Sequence, residues 1–220
     1  MRIGLTGSMA AGKSTVSAIL RGLGFYIVDA DKTAHAALDF PEVIAELSAA
    51  FGRGILNASG RIERKALARA AFASAERTEK LNSIVHPRVF EALLNEAAEA
   101  ETSGQRHIVF DVPLLFETGF ERNCERVICV IADDETCFRR IMLRDGLTRD
   151  EAAARLARQM NQNEKAARSD AVIKNSGPLS ELEGAVRAAL NRIGILLEKN
   201  EAAAFCEAEL ASYLPDDMDE

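Results

Sequence analysis

The stretch MRIGLTGSMAAGKSTV, residues 1–16, decides the fold. Its apolar opening reads as a short buried strand ending at Gly7, and residues 13–22 read as a helix. Between them Gly7, Ser8, Met9, Ala10, Ala11, Gly12, Lys13 and Ser14 match GxxxxGKS, set in the strand–turn–helix frame that this motif needs. A turn of this kind aims several main-chain N–H groups at one point, and the new helix adds its positive end, so an anion is bound there. Lys13 is placed to reach the β- and γ-phosphoryl oxygens of a nucleotide, Ser14 to offer its hydroxyl to Mg²⁺, and Thr15 to lie near the α-phosphate. The GxGxxG of a dinucleotide fold is absent.

Working outward, FYIVDAD is a second strand, HIVFDVP a third, RVICVIA a fourth and DAVIKNSG a fifth. Their short apolar runs do not alternate, as expected when helices cover both faces of a parallel sheet. Residues 41–51 and 61–102 read as mostly helical, with a break expected at Pro87. ETCFRRIMLRDG is a helix closed by Gly146, and Thr148 with Glu151 forms the capping box of the next one. SELEGAVRAALNRI is the last main helix, and a further one is expected within residues 200–214. The fold class is therefore α/β: a P-loop NTPase-type parallel sheet covered by helices, with a helical insertion on the substrate side and a small helical lid.

A nucleotide-binding turn serves switches, motors and kinases alike. The Asn-Lys-x-Asp of guanine switches and the Ser-Gly-Gly signature of transporter ATPases are both missing, which leaves a small-molecule kinase. Asp29 and Asp31 close the second strand. Either carboxylate could accept the proton of an attacking hydroxyl, or both could simply cap a helix starting near Lys32. Asp111, after the buried run HIVF, fits an acid that holds Mg²⁺ through water. Arg140 and Arg144 lie four apart on one helix, with Arg155 and Arg158 on the next. Together they make a cluster of guanidiniums suited to the charge that develops during phosphoryl transfer. The two helices, joined at Asp145-Gly146, read as a lid that excludes water.

Composition closes off other classes. The chain is 48% hydrophobic and 28% charged, ordinary for a folded globular protein. No apolar run is long enough to cross a bilayer and the N-terminus lacks the features of a signal peptide, so a cytoplasmic protein away from membranes is expected. Residues 198–220 hold eight acids and one base, so the net charge of -7 resides in that segment. No basic stripe with interleaved aromatics points to nucleic acid. Cys124, Cys129, Cys137 and Cys206 have no metal-site spacing and are expected to be buried or incidental thiols.

From IGLTGSMAAGKST through YIVDADKTAH, IVHPRVF and FDVPLLFE to RRIMLRDGLTRDEAAARLARQM and SDAVIKNSG, about residues 2–195, the sequence resembles the dephospho-CoA kinase family. The resemblance implies transfer of the γ-phosphate of ATP, with Mg²⁺, to the 3'-hydroxyl of dephospho-CoA, the final step of coenzyme A biosynthesis; for the chain itself a monomer is expected, with a homo-oligomer left open. It implies a nucleotide-binding core in residues 1–34, 104–137 and 168–197, a helical CoA-side domain in 35–103 and a lid in 138–167; residues 198–220 extend past the usual family end. Residue by residue, Gly7 to Thr15 match its nucleotide loop, with Lys13 and Ser14 as nucleotide and Mg²⁺ residues, and Asp31 its catalytic aspartate. His35, His86, Pro113, Leu114, Leu115 and Glu117 fall on its acceptor side. Arg140, Arg144, Arg155 and Gln159 match its lid, with Arg140 joining Lys13 and Asp31 in catalysis. Asn175 matches the asparagine near the nucleotide base. The family's usual loop is Gly-Gly-Ile-Gly-Ser-Gly-Lys-Ser. Ser8 and Ala10 here carry β-carbons, a strain wherever the backbone needs positive φ, and Ala11 lacks a hydroxyl. Two other readings are a kinase for a different small acceptor and a nucleotide sensor without catalysis.

Overall fold

The computed structural model describes residues 1–157 and 159–197. Arg158, the expected helix within 200–214, Cys206 and the acidic segment 198–220 lie outside the described residues. The chain forms two compact units, one from Met1–Val28 with the chain from Ala100 onward, the other Asp29–Glu99.

The first unit is built on a five-stranded sheet of β1 (Arg2–Gly7), β2 (Tyr26–Asp29), β3 (Ile108–Asp111), β4 (Arg126–Ile131) and β5 (Ala171–Lys174), in the order β2-β3-β1-β4-β5. β1 pairs in parallel with β3 and β4, and β4 in parallel with β5. Every residue of β3 and all but the first of β1 are buried, which explains why neither alternates in sequence. α1 (Lys13–Gly22) supplies Val16, Ile19 and Leu20 to a core that also takes Leu5, Ile128 and Ile173 from the sheet. α9 (Leu179–Arg192) adds Leu182, Val186 and Leu190. Each such side chain contributes about 1.5–3 kcal/mol by leaving water, so the sheet end of β1 is a firm base for the loop that follows.

β1 sits between β3 and β4, where the chain's connections diverge to opposite sides of the sheet. A crevice forms at the carboxyl ends of the strands at such a switch point, and that is where the Gly7–Ser14 turn lies. The register sets Leu5 beside Asp111 and Gly7 beside Val130, which fixes the aspartate and the turn at one edge.

Beyond β4, α6 (Asp134–Asp145) and α7 (Arg149–Leu156) form the expected helical pair. Gly146 closes α6 at φ 65°, and the Thr148–Glu151 capping box opens α7. α8 (Gln162–Ala167) then leads into β5. Among the described cysteines, Cys129 and Cys137 are buried and Cys124 is half-buried, all as free thiols. Burial pushes the Cys129 and Cys137 thiols up to about 11 each, which leaves them inert. No helix among the described residues is long and apolar enough to cross a membrane.

The second unit carries α2 (Ala30–Ala37), α3 (Pro41–Phe51), α4 (Arg64–Ala71) and most of α5 (Ala75–Thr102). The break expected at Pro87 does not occur, for α5 runs through it. A proline inside a helix costs about 3 kcal/mol. Ile84, Val85, Val89, Leu93 and Ala97 are buried at helical spacing on both sides of it, and together they outweigh that loss.

Candidate active site

Gly7–Ser14 is held as a loop by few bonds of its own. The amide of Ser8 donates to Val130 O at 3.4 Å, that of Ala11 to Ser8 O at 3.1 Å, and that of Met9 to the Gln159 side chain at 3.2 Å. The amides of Ala10, Gly12, Lys13 and Ser14 have no protein acceptor among the described residues. Main-chain donors left in this state at a helix start make an anion cradle. Gly7 is needed for close approach, since a β-carbon there would lie 2.5 Å from Val130 O.

Ala10 takes φ 60°, and it is the described non-glycine residue with positive φ. The strain foreseen for a β-carbon in this loop therefore falls on Ala10, whereas Ser8 is free of it. Ala10→Gly is expected to stabilise the protein by about 1 kcal/mol, raising the melting temperature by about 2–4 °C. A melting temperature at or below that of the parent would show that the loop carries no such strain.

Lys13 forms an ion pair with Asp111, whose carboxylate is buried at the end of β3. Ser14 is exposed one residue along α1, with Thr15 beside it. Across the loop, the Arg140 guanidinium donates to Ala10 O at 3.2 Å, and burial lowers its pKa from the ordinary arginine range. It keeps its charge all the same, so it is a partly desolvated cation against the cradle. Asn175 donates through Nδ2 to Ala11 O at 2.9 Å.

Arg144 and Arg155, expected over the nucleotide with Arg140, converge instead on one carboxylate. Arg144 grips Asp145 with two hydrogen bonds, at 2.9 Å and 3.0 Å, and Arg155 pairs with the same group. The Arg144 hydrogen bonds hold the Asp145 carboxyl below the usual carboxylate range, with the Arg155 charge adding to them. A cavity of about 290 Å³ opens beside the loop, lined by Ser8, Cys137, Phe138, Leu156, Gln159 and Met160 among others.

The segment after Asp111 is set by a lysine that sequence reasoning missed. Lys165 on α8 is fully buried, donates to Pro113 O at 2.8 Å and pairs with Glu117 at 2.8 Å. Thr6 donates to the same Pro113 carbonyl at 3.0 Å, and Glu117 accepts from the Met160 amide at 3.2 Å. Glu117 and Pro113, expected on the acceptor side, thus have structural partners. Leu115 is fully buried with its δ-carbons against Gly4, while Leu114 is exposed. The polar run Asn161–Glu164 directly before Lys165 gives no local signal of its burial.

β2 stops at Asp29, so Asp29 alone closes the strand and Asp31 lies beyond it in α2. Asp29 is the N-cap of α2, accepting from the Lys32 amide at 3.0 Å. Asp31 stands exposed in the first turn, and His35 is exposed in the last. His86 stacks on Phe90 at 5.9 Å, and burial lowers its pKa, which favours the neutral ring.

Comparison with known proteins gives a consistent result. The family model described as dephospho-CoA kinase matches residues 1–181. The dephospho-CoA kinase of Geobacillus kaustophilus is 44% identical over 182 residues, covering 82% of this chain and 90% of that enzyme. That of Deinococcus radiodurans is 43% identical over 194 residues, covering 88% and 93%. Among solved structures, TT1252 from Thermus thermophilus superposes with a TM-score of 0.76 at 38% identity, covering 88% of this chain and 97% of that one. The dephospho-CoA kinase from Campylobacter jejuni gives 0.59 at 28% identity, covering 87% and 96%.

Proposed function

The chain belongs to the dephospho-CoA kinase family and is an ATP-dependent kinase of the final step of coenzyme A biosynthesis; from that premise we propose how its own residues carry the transfer. The observation that supports the assignment most directly is the cradle of unbonded amides at Ala10, Gly12, Lys13 and Ser14, with Lys13 and Asp111 paired beside it.

In this reading the cradle binds the β-phosphate of ATP, and Lys13 exchanges Asp111 for the β- and γ-phosphoryl oxygens. The Ser14 hydroxyl and the Asp111 carboxylate fit Mg²⁺. Both are hard oxygen donors, and this ion is commonly held by one or two protein groups together with substrate phosphates and water. Bound there, Mg²⁺ would neutralise charge on the β- and γ-phosphoryl groups. Asp31 accepts the proton of the 3'-hydroxyl as its oxygen bonds to the γ-phosphorus and the bond from that phosphorus to the ADP oxygen breaks.

Arg140 stabilises the charge that develops, and Arg144 and Arg155 join it by releasing Asp145. Gly7 to Thr15 and Asn175 make up the rest of the nucleotide site. The acceptor-side residues of this reading are Asp31, His35 and His86 and, separately, Pro113, Leu114, Leu115 and Glu117. Residues 138–167 act as the lid that keeps water from the γ-phosphate.

Incubating the protein with ATP, Mg²⁺ and dephospho-CoA is expected to add one phosphate to the acceptor, as seen by mass spectrometry, with equimolar ADP. ADP release without a phosphorylated acceptor, or neither product from folded protein, would overturn the assignment.

A further inference from the structure

Asn175 lies immediately after β5, is 6% exposed and is tied to the sheet by its own amide, which donates to Ile131 O at 2.8 Å. Its side-chain amide is spent on Ala11 O, 164 residues away in sequence. That carbonyl shares a planar trans peptide with the N–H of Gly12, and in such a unit the C=O and the N–H point in opposite directions. Fixing Ala11 O outward against Asn175 therefore fixes the Gly12 N–H inward, and it is one of the amides without a protein acceptor among the described residues.

The preceding peptide is secured in another way. Arg140 holds Ala10 O, and the Ala11 N–H at the other end of that unit donates to Ser8 O. Of these two units, both held at the carbonyl by a side chain from outside the loop, Ala11–Gly12 is the one whose N–H has no protein acceptor among the described residues. Gly12, at φ 85°, has no alternative here, because a β-carbon would land on Asn175 Nδ2.

We propose that Asn175 is a positioning residue of the phosphate cradle: it aims the Gly12 N–H at the β-phosphate rather than recognising the nucleotide base. The inference rests on the nucleotide site proposed above and gives Asn175 a different task within it. A misaimed donor weakens only ligands that carry the group it serves. ADP has a β-phosphate and AMP does not, while both carry adenine.

In Asn175→Ala the dissociation constant for ADP, measured by calorimetry, is expected to rise about ten- to a hundredfold, the effect of one hydrogen bond to a charged group. That for AMP, measured by displacement, should stay within about twofold because it lacks the affected phosphate. Asn175→Ser, whose hydroxyl is too short to reach Ala11 O from the same backbone, should give the same split and serves if the alanine variant does not fold. Equal weakening of ADP and AMP would assign Asn175 to the base, and unchanged ADP affinity in a folded variant would show that the clamp does not aim the donor. Either result overturns the inference while leaving the nucleotide site intact. A parent protein that does not bind ADP would overturn the site itself.

Discussion

Asp31→Asn is expected to lower kcat by about 10²–10⁴-fold, the usual worth of a general base, while the KM for ATP stays within about twofold. Asparagine has nearly the same shape as aspartate but cannot take up the proton of an attacking hydroxyl. The loss should therefore appear in the chemical step and leave nucleotide binding alone. Asp29→Asn is the natural control. Asp29 accepts from the Lys32 amide as the N-cap of α2, and asparagine caps a helix about as well as aspartate. Its turnover and melting temperature should stay near those of the parent. If Asp31→Asn turned over at the parent rate, or if Asp29→Asn lost as much, Asp31 would not be the base.

The contrast between these two aspartates shows what could be read in the sequence. The strand–loop–helix of residues 1–22 was legible because its signals are local: an apolar run, a glycine-framed turn and a helix start within a few residues of each other. The Thr148–Glu151 capping box was legible for the same reason. Asp29 and Asp31 were not separable, because the strand's last residue depends on where the sheet stops pairing, and that is settled between chain segments. Pro87 misled because local backbone cost was weighed without the buried apolar face that offsets it.

Long-range partners were the least legible. The spacing places Arg140 and Arg144 on one helix and Arg155 and Arg158 on the next as one cluster of guanidiniums, but the convergence of Arg144 and Arg155 on Asp145 depends on how two helices meet. Lys165 has no local signal that sets it apart, yet it is buried against Pro113 and Glu117, 52 and 48 residues earlier in the chain. The resemblance pointed to Asn175, but only the fold brings its side chain to Ala11 O.

Lys13→Met should cost turnover and stability together, by different routes. Removing the ammonium from the γ-phosphoryl oxygens is expected to lower kcat/KM by about 10²–10³-fold, as for the loss of one preorganised charge-stabilising donor. It also strips Asp111, whose side chain is only 9% exposed, of its partner. Removing one member of a buried pair costs about 3–5 kcal/mol, mostly because the remaining charge is left without compensation. The second effect can be reversed without touching the first. Asp111→Asn in the Lys13→Met background replaces the stranded carboxylate by a neutral amide, so the double variant should recover most of the melting temperature while turnover stays lost. Urea melts of the single and double variants, read beside their kinetics, separate the two routes. If the double variant were no more stable than Lys13→Met, the ion pair would not be the source of the lost stability. If Lys13→Met kept the parent kcat/KM, the lysine would have no part in transfer, because its ammonium is the one cation supplied by the loop itself.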